Sequence, residues 1–463
     1  MTTPDLDLSK HHHIHFIGIG GISMSGLAKI LLHNQYIVSG SDIQSSPLTK
    51  KLESKGAAIY IGHKASNIDN ADLVIYTAAV KSDNEELKRA RELNIVTMER
   101  AEFLGQIMRH YKKSIGIAGT HGKTTTTSMM SIILEEASYD PTILVGGELD
   151  AIGGNVKVGN SAYFVTEACE YVESFLHFNP YIGVILNVEE DHLDYFTDLD
   201  HIKQSFHKYA QLIPEDGYLI ANGDSENVSS ILKDLNCNVV TFGTSEDCDW
   251  QAKNISFNDM GMGCFDVVYE GENLGHFQLS VPGLHNVVNA LSAIVCAYYL
   301  DIPLSVIQKG LTLYKGTHRR FELKGKIHDI SVIDDYAHHP TEVTATLAAA
   351  KRYPHKKTWC IFQPHTYTRT LTLLKDFSTA FQLADEVIIA DIYAAREKDL
   401  GLIHSRDLAD AILDNGTPAL YLGDFPAILN HLLENVQPGD LVITMGAGNI
   451  DQVGNMFLTE LAK

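Results

Sequence analysis

The chain has 463 residues, 45% of them hydrophobic, enough for about three domains with ordinary cores. Lys and Arg number 36 against 58 Asp and Glu, a formal net charge of -22, which excludes a binder of nucleic-acid backbones, since that needs a positive face. The six cysteines are scattered without a Cys-x-x-Cys pair, so free thiols in a reducing compartment are expected. No run of about 18 apolar residues is present to span a bilayer. Residues 1–10 carry no basic region followed by an apolar one, so no secretory leader is expected and the cytoplasm is the expected location. His11–His13 run directly into the first predicted strand and read as native residues, not a tag remnant.

In chain order, strands are predicted at 13–19, 36–42, 57–63 and 71–80, with helical patterns at 23–34 and 46–56 between them. That alternation indicates a parallel sheet with helices on its faces. A second unit opens with "SIGIAGTHGKTTTTSMMSIILEE" (114–136), read as strand, tight loop and helix. Strands at 162–168 and 181–188, a helix at 199–213 and a strand at 217–224 follow. Residues 237–282 show short alternating runs that fit a small antiparallel patch, and 283–300 a long buried helix. Strand patterns at 330–337, 358–364, 386–393, 419–423 and 440–446 then describe another doubly wound α/β sheet. The expected fold is therefore α/β in three domains, 1–109, 110–317 and 318–463: a Rossmann-like parallel sheet, a central P-loop-type domain carrying the patch, and a second Rossmann-like domain.

The 114–136 loop aims backbone N–H groups and a helix N-terminus at one spot, which suits phosphate. Lys123 would reach the outer phosphates and Thr124 would bind Mg²⁺. The first glycine of the usual phosphate loop is missing at its spacing; Ile117 stands there, between Gly116 and Gly119. Four consecutive threonines, Thr124–Thr127, are poor helix formers and argue for a ligand over a merely stable turn. In "HFIGIGGISMSG", Gly18, Gly20 and Gly21 follow a strand and open a helix, and Asp42 ends the next strand about 20 residues on, the arrangement for a diphosphate and a ribose. Glu167 and Glu170 follow one strand; Asn187, Asp191 and His192 follow another. Their oxygen and imidazole donors suit Mg²⁺ or Mn²⁺ beside a nucleotide. Further on, "THRRFE" holds Arg319 and Arg320, "DDYAHHPTE" holds Asp334, Asp335, His338 and His339, and "FQPHTYTRT" holds Gln363, His365 and Arg369. A glycine turn at 446–450 follows the last strand.

Two phosphate sites on one acidic chain indicate ATP-driven joining of a carboxylate to an amine, with proximity and charge neutralisation carrying the catalysis. The ordered set "GTHGKTTT", "EACE", "DHLD", "GLHNVVNA", "HRRFE", "DDYAHHPTE" and "FQPHTYTR", spanning nearly the whole chain, resembles the Mur ligases, in which the short "GTHGKT" loop is normal. The resemblance implies ATP-dependent attachment of L-alanine to the lactyl carboxylate of UDP-N-acetylmuramate through an acyl phosphate, for peptidoglycan precursor synthesis. It places UDP on Gly18, Gly20, Gly21, Ser23, Asp42 and Thr77. It places ATP on Gly119, Thr120, His121, Gly122, Lys123, Thr124 and Thr125, with Asn286, Asn289, Arg320 and Asp335. Thr124, Glu167 and His192 would hold the metal, Mg²⁺ or Mn²⁺. Tyr336, His338, His365 and Arg369 would line the amino-acid pocket, with Arg369 on the alanine carboxylate. The catalytic set is then Lys123, Glu167, His192, Arg320 and His338, the last suited to act as base. Thr366 stands where many members carry Arg, so a second cation for that carboxylate is not apparent. No membrane insertion and no nucleic-acid partner are expected, and the sequence fits a monomer or a homodimer equally. The other readings are a ligase recycling a preformed tripeptide, a nicotinamide-dependent oxidoreductase, and a non-catalytic ATP-switched module.

Overall fold

The structure, a computed structural model, describes residues 6–77 and 79–463; residues 1–5 of the segment on which the leader expectation rests lie outside them. The chain forms two compact units: Met1–Gly119, Thr126–Val188 and Lys203–Thr241 make the first, and Thr120–Thr125, Glu189–Ile202 and Phe242–Lys463 the second.

In the first unit, β1 (His13–Ile17), β2 (Ile37–Asp42), β3 (Ala58–Ile61), β4 (Leu73–Tyr76) and β5 (Val96–Glu99) form an all-parallel sheet ordered β3-β2-β1-β4-β5. The chain reverses its direction of winding between β3 and β4, and ligand crevices open at such a switch point. The same unit carries β6 (Lys113–Ala118), β7 (Thr142–Leu149), β8 (Gly154–Lys157), β9 (Tyr163–Glu167), β10 (Ile182–Ile185) and β11 (Tyr218–Asn222), ordered β11-β10-β6-β9-β7-β8. Here β7 and β8 run antiparallel and the other pairs parallel. The Asn155 amide donates to the Ile22 carbonyl at 2.9 Å, joining the β7–β8 region to the first turn of the helix Ile22–His33.

The chain passes into the second unit along β12 (Asn238–Gly243). There β13 (Trp250–Phe257), β14 (Met262–Tyr269) and β15 (Glu272–Pro282) form an antiparallel run, with the buried helix Leu284–Tyr298 following. The expected patch at 237–282 is thus shorter, because β12 meets β13 in parallel. A second sheet follows in this unit: β16 (Glu322–Ile327), β17 (Ile330–Asp335), β18 (Thr358–Phe362), β19 (Glu386–Ala390), β20 (Ala419–Gly423) and β21 (Leu441–Met445), ordered β16-β17-β21-β18-β19-β20. It is parallel except at the β16/β17 edge.

Alternate residues of its central strands feed two cores. Ile333, Phe362, Ile389 and Ile443 pack with Val343, Leu347 and Phe377 on one face. Val332, Ile361, Ile388 and Val442 pack with Leu432, Val453 and Phe457 on the other. Burial on both faces makes these strands read as continuous apolar runs, and it fixes Asp335, Gln363 and Gly446 just at or past the carboxyl ends of β17, β18 and β21. Strands β5, β7, β8 and β16 were not among those expected. β5 buries Met98 alone, β7 is broken by two glycines, and β16 (ELKGKI) is a half-exposed edge without apolar alternation.

Candidate active site

The first loop lies at the switch point of the β1–β5 sheet. The N–H groups of Gly18 and Ile19 donate to the Ser41 carbonyl at 2.8 and 3.0 Å, and Gly20 N–H to Asp42 Oδ2 at 2.8 Å. A Cβ on Gly20 would stand 2.7 Å from that oxygen and 3.1 Å from Thr49 Cγ2, so glycine leaves the room in which the loop closes on the carboxylate. Thr77 faces Gly18 from the end of β4, and Ser23 lies in the first turn of the following helix. Gly18, Gly20, Gly21, Asp42 and Thr77 are thereby gathered at one sheet edge. Under this loop lies a buried network that sequence reasoning missed: Glu86 accepts from Ser41 (2.6 Å), Asn67 (2.6 Å) and His63 (2.9 Å). Burial opposes its charge, but these partners and His15 hold its carboxyl at about 2. Glu86 stands in a charged stretch of helix and carried no signal distinguishing it from a solvated acid.

The phosphate loop follows β6. Gly119 and Gly122 take positive φ, 145° and 83°, and the helix Lys123–Glu136 starts at the lysine. Thr120 Oγ1 accepts Glu189 N–H at 2.9 Å, and Lys123 Nζ donates to the Thr120 carbonyl at 3.0 Å. The run Thr124–Thr127 is helical and buried. Asn286 donates to the Pro282 carbonyl at 2.7 Å and Asn289 to Asn286 Oδ1 at 3.3 Å, in the first turns of their helix.

The two adjacent arginines part company. Arg319, at φ 61°, is scaffolding: it donates to Asp334 (2.9 Å) and to the carbonyls of Gly446 (2.7 Å) and Gly448 (2.9 Å). Gln363 closes the same turn by bonding Asn449 at 3.0 and 3.1 Å. Asp334, Gln363 and the 446–450 turn therefore brace the sheet edge. Arg320 turns the other way. Its guanidinium stands 3.4 Å from Thr124 Oγ1, 3.8 Å from Glu342 Oε1 and over the Tyr336 ring. Asp335 accepts Phe321 N–H and Ala337 N–H at 2.8 and 2.7 Å; burial outweighs Arg320 and these bonds and lifts its carboxyl to about 6.

Glu342, unflagged in the sequence, is the hub of this part. It is the third residue of the helix Pro340–Ala350 and completes a capping box with His339. One oxygen accepts the N–H groups of His338 (2.9 Å) and His339 (3.3 Å) and lies 3.1 Å from His338 Nδ1. The other lies 3.2 Å from His121 Nδ1. Burial opposes its ionisation, yet His338 and His121 hold the carboxyl well below its usual range. Burial likewise opposes charge on His121, but Glu342 and Glu189 raise it to about 9. His121, Glu189 and His339 bring three potential ligand atoms within 4.8 Å of one another. They make a poor metal site, because His121 is held protonated and His339 bonds through both ring nitrogens, to the Glu190 carbonyl and Thr341 N–H.

A pH dependence follows. The part from His121 is complete below about 6.5 and is lost as pH rises through about 9; the part from Glu342 is present above about 4.5 and lost on acidification. The stability difference between wild type and Glu342→Gln should thus narrow steadily from pH 6.5 to 9 in urea titrations. A constant difference over that range would separate His121 from the pair.

Arg369 lies in the helix Tyr367–Thr372 and pairs with Asp191 through Nε (3.0 Å) and Nη2 (2.8 Å). Its Nη1 bonds His365 Nδ1 at 3.1 Å and the His365 carbonyl at 3.3 Å. Burial, His338 and Arg369 push His365 down to about 3, so it stays neutral and accepts that bond. Asp191 is held far below the usual carboxylate range: burial works against this, and His192 and Arg369 overcome it. His338 Nδ1 bonds the Tyr336 carbonyl at 2.9 Å. Beside Arg369 is a cavity of about 60 Å³, walled by Asp191, His192, His365, Thr366 and Arg396 among others.

The expected metal donors fall in different units. Glu167 belongs to the first, where it accepts Gly146 N–H at 2.6 Å; a Cβ on Gly146 would lie 2.7 Å from both carboxylate oxygens. Thr124 and His192 belong to the second. No described helix is long and apolar enough to cross a membrane.

Three family models match the chain: "Mur ligase family, catalytic domain" over 13–112, "Mur ligase middle domain" over 117–297, and "Mur ligase, glutamate ligase domain" over 319–448. The UDP-N-acetylmuramate–L-alanine ligase of Acetivibrio thermocellus is 57% identical over 456 residues, 98% of this chain and 97% of the relative. That of Caldanaerobacter subterraneus subsp. tengcongensis is 55% identical, covering 99% and 100%. Among solved structures, UDP-N-acetylmuramate-alanine ligase from Thermotoga maritima aligns with TM-score 0.81 at 30% identity, over 97% of this chain and 99% of that one. A murein peptide ligase from Psychrobacter arcticus aligns at 0.73 and 28% identity, over 98% and 99%.

Proposed function

The chain belongs to the Mur ligase family, and from that premise we propose how its residues join L-alanine to UDP-N-acetylmuramate at the expense of ATP, a step of peptidoglycan synthesis. Full-length identity of 55–57% to alanine ligases supports the reaction. The observation that carries the chemistry is the second unit itself, which holds loop residues Thr120–Thr125, Arg320 and the small Arg369 cavity in one body.

The lactyl carboxylate takes the γ-phosphoryl of ATP, ADP leaves, and the alanine amine then displaces phosphate from the acyl carbon. UDP is held by Gly18, Gly20, Gly21, Ser23, Asp42 and Thr77, and ATP by residues 119–125 with Asn286, Asn289 and Asp335. Lys123 and Arg320 offset charge on the transferred group. The donors proposed for a hard divalent ion are, in the second unit, the Thr124 hydroxyl and His192 imidazole and, in the first, the Glu167 carboxylate that accepts Gly146 N–H. Mg²⁺ bound there would add Lewis-acid neutralisation of the phosphoryl oxygens. His338 takes the proton of the attacking amine: its Nδ1–H is directed at the Tyr336 carbonyl and Glu342, which leaves the Nε2 lone pair as base. His365 and Arg369 wall the amino-acid cavity, His338 packs on His365 with ring centroids 5.9 Å apart, and Tyr336 packs on His338 in turn.

The 55–57% identity to alanine ligases favours alanine over a tripeptide. The cavity of about 60 Å³ beside Arg369 adjoins one of about 390 Å³, the two sharing Thr368, Thr372 and Glu397. Phosphate release should require UDP-N-acetylmuramate, L-alanine, ATP and Mg²⁺ together, with L-Ala-γ-D-Glu-meso-diaminopimelate at least ~10²-fold poorer in kcat/KM. Equal release without any amino acid, or preference for the tripeptide, defeats the reading.

A further inference from the structure

Arg369 alone cannot grip the amino-acid carboxylate by a two-pronged contact. A guanidinium has five N–H donors. Four of those on Arg369 are committed, two to Asp191 and two to His365. One N–H remains, and a forked arginine–carboxylate pair needs two. Thr366, on the same wall, is uncharged and its side chain caps its own helix by accepting Arg369 N–H at 3.4 Å.

Arg396 borders this cavity from the loop after β19. The loop is tied to the cavity mouth at two points: Glu397 accepts Thr368 N–H at 2.9 Å, and Thr366 N–H donates to the Tyr393 carbonyl at 2.9 Å. A left-handed Ala395, φ 51°, turns the chain between them. The Arg396 side chain is 64% exposed and stands 3.4 Å from Asp194 Oδ2. Exposed pairs of this kind contribute little, so an incoming carboxylate displaces this one at little cost. By contrast, Arg369 and Asp191 are both more than nine-tenths buried, and separating them leaves buried charge.

Resting on the ligase reading above, we infer that Arg396 is a specificity-determining residue that binds the α-carboxylate of the incoming amino acid, while Arg369 contributes a single hydrogen bond and mainly shapes the wall. The carboxylate is then held at the mouth of the cavity and the methyl group lies inside.

The test compares wild type, Arg396→Ala and Arg396→Lys in phosphate release with L-alanine and with L-alaninamide, which lacks the carboxylate. Arg396→Ala should raise the KM for L-alanine about 10–100-fold, with kcat and the KM for ATP within about two-fold. Arg396→Lys should recover part of the loss, as a point charge without the fork. With L-alaninamide, wild type and Arg396→Ala should have equal kcat/KM. An unchanged KM for L-alanine overturns the inference. So does an equal loss with alanine and alaninamide, which would make Arg396 a brace for its loop. Wild type failing to release phosphate with L-alanine would instead sink the ligase reading, and this inference with it.

Discussion

Lys123→Ala should lower kcat on the order of 10³-fold, about 4 kcal/mol of transition-state stabilisation at ~1.36 kcal/mol per decade. The side chain is half-buried, and its ammonium donates to a carbonyl of its own loop. Losing a bond from a charged donor costs about 1.5–3 kcal/mol of stability, part of which alanine offsets as the better helix former at the first position of Lys123–Glu136. Activity and melting should therefore separate: calorimetry should place the variant within a few degrees of wild type while phosphate release nearly stops. Lys123→Arg should not restore the rate, because a planar fork cannot replace a compact ammonium in a loop closed at Gly122. A kcat near that of wild type would remove the loop from the ATP site.

Glu342→Ala should be the most damaging substitution outside that loop. It removes one carboxylate that accepts two backbone N–H groups at a helix start and faces His121, His338 and Arg320. Removing one partner of a buried ion pair costs about 3–5 kcal/mol, since the other charge is stranded. Here the group left short of charge is His121, which keeps only Glu189, 3.4 Å from its Nε2, as a counter-charge. The melting temperature should fall by several degrees. Turnover should fall at least ~10²-fold, because His338 keeps only its bond to the Tyr336 carbonyl and loses the second contact that orients its ring. Glu342→Gln isolates the charge: its amide oxygen still caps the helix, but the NH₂ group opposes a protonated His121. It should keep most of the stability near pH 9 and lose it near pH 6, the inverse of an ordinary capping defect. Equal activity of Glu342→Gln and wild type at pH 7 would show that the carboxylate's charge plays no part in placing His338.

What could be read from sequence was local in origin. The loops at Gly18–Gly21 and Gly119–Thr125 declare themselves because glycine, lysine and threonine at those spacings have few other uses next to a strand. The central strands of the last sheet, β17, β21, β18 and β19, were plain because both faces are buried. Contacts made by distant segments were not visible. Glu342 reads as an ordinary third-position helix acid, and its hold on His121 exists only once residues 221 positions apart meet. Arg319 and Arg320 are indistinguishable as letters; a left-handed backbone at Arg319 sends one to Asp334 and the other to Thr124. Arg396 lies in a polar loop that reads as solvent-facing. Arg369 borders the cavity, and nothing in the sequence revealed that Asp191 and His365 each take two of its donors.

The open cavity beside Arg369 has a consequence for selection. A carboxylate held at its mouth is common to alanine and glycine, and glycine leaves only a methyl-sized gap inside. One missing methyl or methylene is worth about 1–3 kcal/mol, a 10–200-fold preference. Which of the two small amino acids starts the peptide is therefore decided partly by their relative abundance in the cell, and a glycine-rich medium should shift the composition of the wall this chain helps to build.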